Sequence, residues 1–299
     1  GCFSGCRKLK KVNNKASLSE IEDNTFRNCI SLKKLELGSN VNKISEKAFY
    51  NCGAVINIPD GNQNYITEDG ILYSAGVKKL IRYPGLKGGG YILPETVHMV
   101  SPYAFTGCRK LKSLELNGYI TDFPLSQLNG CISLERLVLP ENLQKAGFTD
   151  INYNGKLYTR TPVYGLVNLK EIKVHEDNAF FSVHDNALYS AGYEYLYLIP
   201  HAKEDLEIHK NTHYILDRFC QNQYTKITVQ DGNKYLASYK GVLYDKNMKT
   251  IKMFPGKLES YRIPASLENA DAIINYVVCE EEDYRRGSYV KGFNDVAGN

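Results

Sequence analysis

The sequence lacks tryptophan, has only three methionines and carries no strong excess of charge of either sign. Lysine plus arginine number 37 and aspartate plus glutamate number 33, so the formal net charge is +4. Such a nearly equal number of basic and acidic residues does not give the concentrated basic face that nucleic-acid binding requires. No run of about 18 apolar residues is present, which excludes a membrane-spanning helix in this segment. With 43% hydrophobic and 23% charged residues, the chain has the composition of a folded protein.

The signatures of common catalytic and cofactor sites are missing as well. The six histidines form no HExxH pair, and Gly88-Gly89-Gly90 is not followed by the Lys-Ser/Thr of a phosphate-binding loop. His209 and His213 are four residues apart, but their segment reads as extended rather than helical. There is no G-x-S-x-G elbow and no recognisable nucleophile arrangement. We therefore predict no catalytic residues, no metal ligands and no cofactor, and we do not expect an enzyme.

The eight cysteines are the most informative residues, because most of them are regularly spaced. Three intervals are the same 23 residues: Cys6 to Cys29, Cys29 to Cys52, and Cys108 to Cys131. The flanking residues repeat too, as in FRNCISLKKLEL from Phe26 and AFTGCRKLKSLEL from Ala104. A later unit has Leu166 in the cysteine's place. A fixed period of this length is typical of a solenoid built from stacked coils.

Each repeat has two parts. The triplet Leu32-x-x-Leu35-x-Leu37 places alternate residues on one face of a short strand. A segment before the cysteine contains Ser45 in one repeat and Ser101-Pro102 in another, residues that favour the start of a short helical turn. A single coil cannot bury its own apolar face, so the coils must stack. We predict a repeat solenoid of about seven coils, a β-rich right-handed superhelix of short parallel strands and short helical turns.

A second repeat interrupts the first. Residues 66–84, 182–200 and 237–255 align without a gap, and in each a Leu-Tyr pair stands 12 residues before a proline. Alternating residues around a glycine- or asparagine-containing turn predict a β-hairpin. We therefore predict three β-hairpin inserts, at about 61–94, 178–209 and 232–264, in a solenoid covering residues 1–275. The polar segment 276–299 is predicted to be a C-terminal cap or tail.

Together these motifs resemble a known family. The unit A-F-x-x-C-x-x-L-x-x-L-x-L, with the hairpin inserts, is similar to the BspA-like leucine-rich-repeat proteins of bacterial surfaces, from about Phe3 to Pro264. The resemblance implies an exported, surface-attached or extracellular protein that acts in adhesion, and it supplies no catalytic residues. The sequence opens at Gly1-Cys2-Phe3, in the middle of a coil, so we expect a fragment of a longer protein.

The cysteines themselves allow two interpretations. Equivalent positions in adjacent coils lie about one strand spacing apart, roughly 4.7–4.9 Å, which suits the Cα separation of a disulfide. Their Cα–Cβ vectors are parallel, however, which leaves the Cβ atoms at or beyond the distance a disulfide needs. Buried free thiols acting as small apolar residues are therefore favoured over disulfides. Cys2 and Cys279 lie outside the regular series.

The first candidate for a ligand surface is the set of outward strand positions, and the second is the tyrosines of the middle insert. The outward set mixes both signs of charge, so a solvated face with cross-strand ion pairs explains it as well as a binding surface does. The tyrosines suit an interface, but packing within the hairpin explains them equally well. The candidate residues are Lys34, Glu36, Glu115, Arg136, Lys173, Lys226, Tyr193, Tyr195 and Tyr197.

The predicted function is non-enzymatic binding of a protein or glycan at a bacterial surface, by a chain that we expect to be a monomer. Host or matrix proteins, other cells and glycans are the expected partners. A structural spacer that presents another domain is the main alternative. A non-catalytic part of a larger surface enzyme is a third.

Overall fold

The structure is a computed structural model that divides the chain into two compact units, residues 1–181 and 182–299. It describes residues 1–12, 18–147, 149–153, 156–160, 163–202, 204–215, 224–258, 260–262 and 264–268. For 149–153 and 156–160 only the backbone is described. The predicted cap or tail at 276–299 lies outside the described residues.

Unit 1 is built from short strands and turns, with two short 3₁₀ helices, Ala75–Val77 and Leu125–Leu128. Its strands are β1 (Glu20–Ile21), β2 (Lys34–Glu36), β3 (Lys43–Ile44), β4 (Val55–Asn57), β5 (Tyr65–Glu68), β6 (Ile71–Ser74), β7 (Lys79–Arg82), β8 (Gly89–Ile92), β9 (Met99–Val100), β10 (Leu111–Glu115), β11 (Arg136–Leu139), β12 (Thr149–Tyr153), β13 (Lys156–Arg160) and β14 (Glu171–Val174).

Parallel pairing between equivalent strands confirms the predicted solenoid. Strands β8, β10, β11 and β14 form one parallel sheet, and β2 pairs with β4 in the same sense. Leu114, Leu137 and Ile172 are partners across the sheet, and each is at most 1% exposed. The inward residues therefore form columns of apolar side chains, which no single coil could bury alone.

Stacked aromatic rings show how closely the coils repeat. Phe3, Phe26 and Phe49 stack in sequence, with centroids 5.2 and 5.6 Å apart and rings within 6° of parallel. The segments predicted as helical turns mostly take the form of consecutive i→i+3 turns instead. Ala48 N donates to Ser45 O at 3.0 Å, but the positive φ of Asn51 (53°) and of Tyr103 (67°) interrupts the helical path. Among the described residues, this part of a coil forms a helix only at Leu125–Leu128, before Cys131.

The three predicted inserts each contain three antiparallel strands. In the first, β5 pairs with β6 around the two-residue turn Asp69-Gly70, and β6 pairs with β7. Both turn residues have positive φ (49° and 77°), the geometry that suits the twist of a tight hairpin and that glycine adopts without strain. A fourth hairpin, β12–β13, was not predicted. Asn154-Gly155 between its strands is a strong hairpin signal that the sequence interpretation missed.

Unit 2 holds the second and third inserts, and the boundary between the two units falls between Phe181 and Ser182. Its strands are β15 (Phe181–His184), β16 (Ala187–Ser190), β17 (Tyr195–Leu198), β18 (Asp205–Ile208), β19 (Tyr214–Ile215), β20 (Lys226–Val229), β21 (Leu236–Tyr239), β22 (Val242–Asp245) and β23 (Ile251–Met253). The sheets are β15–β16–β17–β19, β18–β20 and β21–β22–β23. Leu196, Leu206 and Ile227 belong to the buried core of this unit.

Buried asparagines tie successive coils together, a feature that was also missed. Asn178 Nδ2 donates to Pro140 O (2.7 Å) and Leu143 O (3.0 Å), and its Oδ1 accepts from the amides of Phe180 and Phe181. Asn62, Asn117 and Asn233 make equivalent contacts. Asn62, Asn178 and Asn233 each stand four residues before the aligned inserts, so extending that alignment reveals them.

Among the described residues, no helix is long and apolar enough to cross a bilayer.

Candidate functional site

The outward face of the sheet β8–β10–β11–β14 carries three of the predicted site residues in unit 1. The register aligns Ser113 with Arg136 and Arg136 with Glu171. Two residues further along each strand, Glu115 aligns with Val138 and Val138 with Lys173. Glu115, Arg136 and Lys173 therefore lie on one face of the sheet.

These charges form one network centred on Arg136. Its Nε donates to Glu171 at 2.8 Å, and its Nη1 lies 3.6 Å from the Glu115 carboxylate. Lys173 Nζ is 3.2 Å from the other oxygen of Glu171. Each of these side chains is at least 36% exposed. Ion pairs this exposed contribute only about 0–1 kcal/mol each, so a ligand group can replace a partner at little cost.

A groove of about 480 Å³ lies along this face, and we call it the sheet groove. Glu115 and Lys173 contribute to its lining together with Ile92 and Val138. Ile92 is 70% exposed, which is unusual for a large apolar side chain in a strand. The sheet groove thus offers apolar surface beside exchangeable charges, on a sheet whose backbone is fixed by parallel pairing.

The remaining charged candidates are not part of this site. Lys34 and Glu36 lie on β2, which pairs with β4 in a separate two-stranded sheet, and they form an ion pair with each other at 2.5 Å. Lys226 belongs to unit 2, where it aligns with Asp205. The structure therefore groups three of the six predicted charged residues on one face and disperses the others: Glu115 and Lys173 line the sheet groove, and Arg136 lies beside it, close to Glu115.

The three candidate tyrosines of unit 2 are partly buried and stacked on other rings. Tyr193 stacks on His209 (4.0 Å, 25°), and Tyr195 lies between Tyr197 (6.2 Å, 10°) and Tyr214 (4.8 Å, 16°). Burial and the neighbouring His184 lower the pKa of His209. Packing within unit 2 therefore explains much of the placement of these tyrosines, which is one of the two explanations that the sequence left open.

The stack continues through residues that were not predicted. His213 packs on Tyr214 (3.9 Å) and on Tyr235 (4.0 Å), and both tyrosines are 45% exposed. We call Tyr195, Tyr197, His213, Tyr214 and Tyr235 the aromatic column. Tyr235 could have been predicted from the sequence, because it lies two residues after the repeated Asn233. Tyr119 follows Asn117 in the same way and stacks on His98 (4.3 Å).

The regularly spaced cysteines are free thiols wherever the structure describes them. Cys29, Cys52, Cys108 and Cys131 are buried, and Cys2 is exposed. Cys29 Sγ donates to Phe3 O (3.1 Å) and Cys131 Sγ to Phe105 O (3.2 Å), each one coil earlier. Burial raises the pKa of Cys29 to about 12 and raises that of Cys52 and Cys131 as well. Cys29, Cys52 and Cys131 are thus held in the protonated, unreactive form; Cys220 and Cys279 lie outside the described residues.

One group of side chains in the described part of the chain brings three possible metal-ligand atoms together. Glu141, His175 and Asp177 offer ligand atoms within 4.8 Å of one another. A histidine with two carboxylates suits a divalent transition-metal ion. All three are exposed, however, and His175 Nδ1 already accepts the amide of Asp177 at 3.3 Å. We assign no metal to this group.

The parallel ladders of short strands, the repeated apolar columns and the recurring asparagines define a leucine-rich-repeat β-solenoid. Residues 1–81 and 90–177 match, in six copies, the family described as BspA type leucine rich repeat region. The match covers more than half of the chain, so the protein belongs to this family.

Three solved structures are similar to this chain. A leucine-rich repeat protein from Eubacterium ventriosum is 17% identical (TM-score 0.48), over 71% of this chain and 54% of that one. The pneumococcal vaccine antigen PcpA is 19% identical (TM-score 0.46; 77% and 64%). A leucine rich cell surface protein from Faecalibacterium prausnitzii is 20% identical (TM-score 0.39; 58% and 62%). The chain spans less than two thirds of the length of each. No curated protein sequence matches it.

Proposed function

We propose that this chain is a non-enzymatic binding protein, exported to a bacterial surface, that adheres to a protein or glycan partner through the sheet groove of unit 1. The observation that carries the proposal is the groove itself, where an exposed isoleucine lies beside an exchangeable charge network. Membership of the BspA-type family and the surface proteins of similar fold support the location. Host or matrix proteins, other cells and their glycans are the partners that we expect.

The charge network favours recognition of a partner that carries both signs of charge. Arg136 lies between two carboxylates, so an incoming carboxylate can accept from its guanidinium while a basic group pairs with Glu115 or Glu171. Complementary charges of this kind increase the association rate and exclude wrong partners more than they increase affinity. Ile92 and Val138 supply the apolar contact at the centre of such an interface.

The test is retention of the full chain on immobilised extracellular-matrix proteins and on a glycan array. Arg136→Glu places three carboxylates together, and we expect it to reduce binding of any retained partner at least tenfold. Lys43→Glu is the matched control, because Lys43 is an exposed, ion-paired lysine on β3, outside the sheet groove. Binding that Arg136→Glu leaves unchanged would rule out the sheet groove as the binding site.

The spacer function is the second candidate, and one observation favours it. The charges of the sheet groove pair with each other, which is also what an inert solvated face would do. Failure of a folded chain to retain any matrix protein or glycan would favour the spacer. A catalytic domain elsewhere in the full-length reading frame would favour the third possibility, a part of a larger surface enzyme.

The aromatic column is the alternative binding surface, because Tyr214 and Tyr235 present exposed aromatic edges. Tyr235→Ala removes the outer ring of the stack. Loss of partner binding in Tyr235→Ala, with Arg136→Glu unaffected, would move the proposed adhesion surface to unit 2.

A further inference from the structure

Besides the long sheet, unit 1 has a second column of short strands in which successive coils are joined by repeated backbone hydrogen bonds. At one junction Asn42 N and Lys43 N donate to Ser19 O (2.8 and 3.3 Å), and Ser45 N donates to Ile21 O (2.9 Å). At another, His98 N and Met99 N donate to Lys78 O (2.9 and 3.2 Å), and Ser101 N donates to Leu80 O (2.8 Å). Three bonds of this kind close each of these junctions.

The next junction is open. The structure records no backbone hydrogen bond between residues 98–100 and residues 120–123, in a stretch that it describes completely. The position equivalent to Ser45 and Ser101 is Pro124, which has no amide hydrogen to donate to Val100 O. The column resumes at the following coil, where Asp122 forms a parallel bridge with Lys145.

The open junction leaves strand-edge groups without partners. At the equivalent edge of β3, the amide of Ile44 donates to the hydroxyl of Tyr65 at 2.8 Å. Val100 occupies the same place on β9, and no partner for its amide is recorded among the described residues. Across the junction, neither the amide nor the carboxylate of Asp122 has a recorded partner among these residues. An edge with free backbone donors and acceptors is a template for another strand.

A groove of about 470 Å³ occupies the open junction, and we call it the Pro124 groove. Its apolar lining includes Met99, which is 57% exposed, and the two prolines Pro102 and Pro124. Gln127 also lines it, is only 5% exposed, and has an Oε1 atom that is shielded from water without a hydrogen-bond partner. A buried amide oxygen left unpaired costs free energy unless a ligand supplies the missing donor.

We propose that the Pro124 groove binds an extended peptide segment that pairs with the edge of β9. The free groups of the groove are those that a peptide backbone complements, namely the backbone groups of Val100 and Asp122 and the primary amide of Gln127. The apolar lining accommodates alternate side chains of a strand, and the unpaired Asp122 carboxylate accepts a lysine or arginine of the peptide. This site is separate from the sheet groove and does not depend on the function proposed for it.

Two substitutions should each remove the site. Pro124→Ser restores the residue type of Ser45 and Ser101, so the junction should close and the amides of Val100 and Asp122 should exchange hydrogen more slowly. Gln127→Leu replaces the unsatisfied amide by an apolar side chain of similar size, and its melting temperature should equal or exceed that of the parent. The matched control is Gln144→Leu, on the neighbouring coil and outside the groove lining.

The experiment pans a library of random linear 12-residue peptides on the full chain and measures the affinity of enriched peptides by calorimetry. We expect enriched sequences to combine apolar residues with a lysine or arginine, and to slow hydrogen exchange at Val100 and Asp122. Pro124→Ser and Gln127→Leu should each weaken them at least tenfold, and Gln144→Leu should not.

Three results would overturn the proposal. The first is enrichment of no peptide by a folded sample, and the second is enrichment of peptides that bind both groove variants as tightly as the parent. The third is glycan-array binding that both groove variants abolish, which would assign the groove to sugar hydroxyls instead. None of these results depends on Arg136→Glu, so failure of this proposal is distinct from failure of the sheet groove.

Discussion

Arg82 is a buried arginine whose removal should destabilise unit 1 strongly. The residue is 3% exposed at the end of β7, and the structure records no ion pair for it among the described residues. Its Nη1 donates to Tyr103 O (2.8 Å) and Ala104 O (3.2 Å), and its Nη2 donates to Cys52 O (2.8 Å) and Thr106 O (3.0 Å). One guanidinium thus satisfies four carbonyl groups drawn from two different turn segments.

The substitution to test is Arg82→Met, because Met253 stands at the equivalent place in the third insert and Leu198 in the second. Methionine keeps the apolar contacts of the stem but leaves four buried carbonyls without this donor. Removing one partner of a buried charged network costs about 3–5 kcal/mol, and relief of the desolvation of the charge offsets part of this. We expect a net loss of about 3 kcal/mol in the free energy of unfolding.

Urea unfolding followed by far-UV circular dichroism measures this loss, with tyrosine fluorescence as a second signal because the chain has no tryptophan. Arg27→Met is the control: Arg27 is exposed and lies 5.1 Å over the ring of Tyr50, so its loss should cost no more than about 0.5–1 kcal/mol. An Arg82→Met chain as stable as the parent would refute the reasoning. It would mean that the desolvation of the guanidinium costs as much free energy as its four hydrogen bonds contribute.

Three further predictions concern the columns inside unit 1. Asn178→Ala removes four hydrogen bonds made by a buried side chain and should lower the free energy of unfolding by about 2–4 kcal/mol in the same urea assay; an unchanged midpoint would show that the asparagines do not join the coils. Because burial raises the pKa of Cys29 to about 12, Ellman's reagent at pH 8 should modify the exposed Cys2 in the folded chain and reach Cys29 only on unfolding; rapid modification of Cys29 in folded protein would contradict this. Because the pKa of Cys29 is higher in the folded than in the unfolded chain, burial of its protonated thiol contributes stability below about pH 9. That contribution is lost as the pH rises towards 12, and Cys29→Ala should reduce the loss.

The spacing of the cysteines predicts the solenoid because each coil must bury the same positions against its neighbours. Leu114, Leu137 and Ile172 pair in register for that reason, and so do the outward Arg136 and Glu171. The helical turns were predicted from Ser45 and Ser101-Pro102, but residues with positive φ divide most of those segments into separate turns. Capping residues mark where such a segment begins and do not determine that it continues as a helix.

The candidate site was only partly predictable, because an insert changes which strands are neighbours. Lys34 shares its repeat position with Arg136, yet β2 and β11 lie in different ladders, since the first insert places β5, β6 and β7 between the coils. Sequence periodicity predicts which way a side chain points and cannot predict which coils remain in contact. The same limit explains Arg82, whose equivalents Leu198 and Met253 predict an apolar residue.

Departures from the repeat therefore fall into two physical classes. At Arg82 the exceptional residue is largely compensated within the fold, because four carbonyls of neighbouring turns accept from its two terminal nitrogens and only its buried Nε lacks a recorded partner. At Pro124 the exceptional residue removes a donor, and the described residues supply no substitute at Val100, Asp122 or Gln127. Uncompensated polar groups lower stability in the free protein, so a chain that retains them gains only when something else binds there. That asymmetry is why the Pro124 groove, rather than the buried arginine, is the departure to which we assign a ligand.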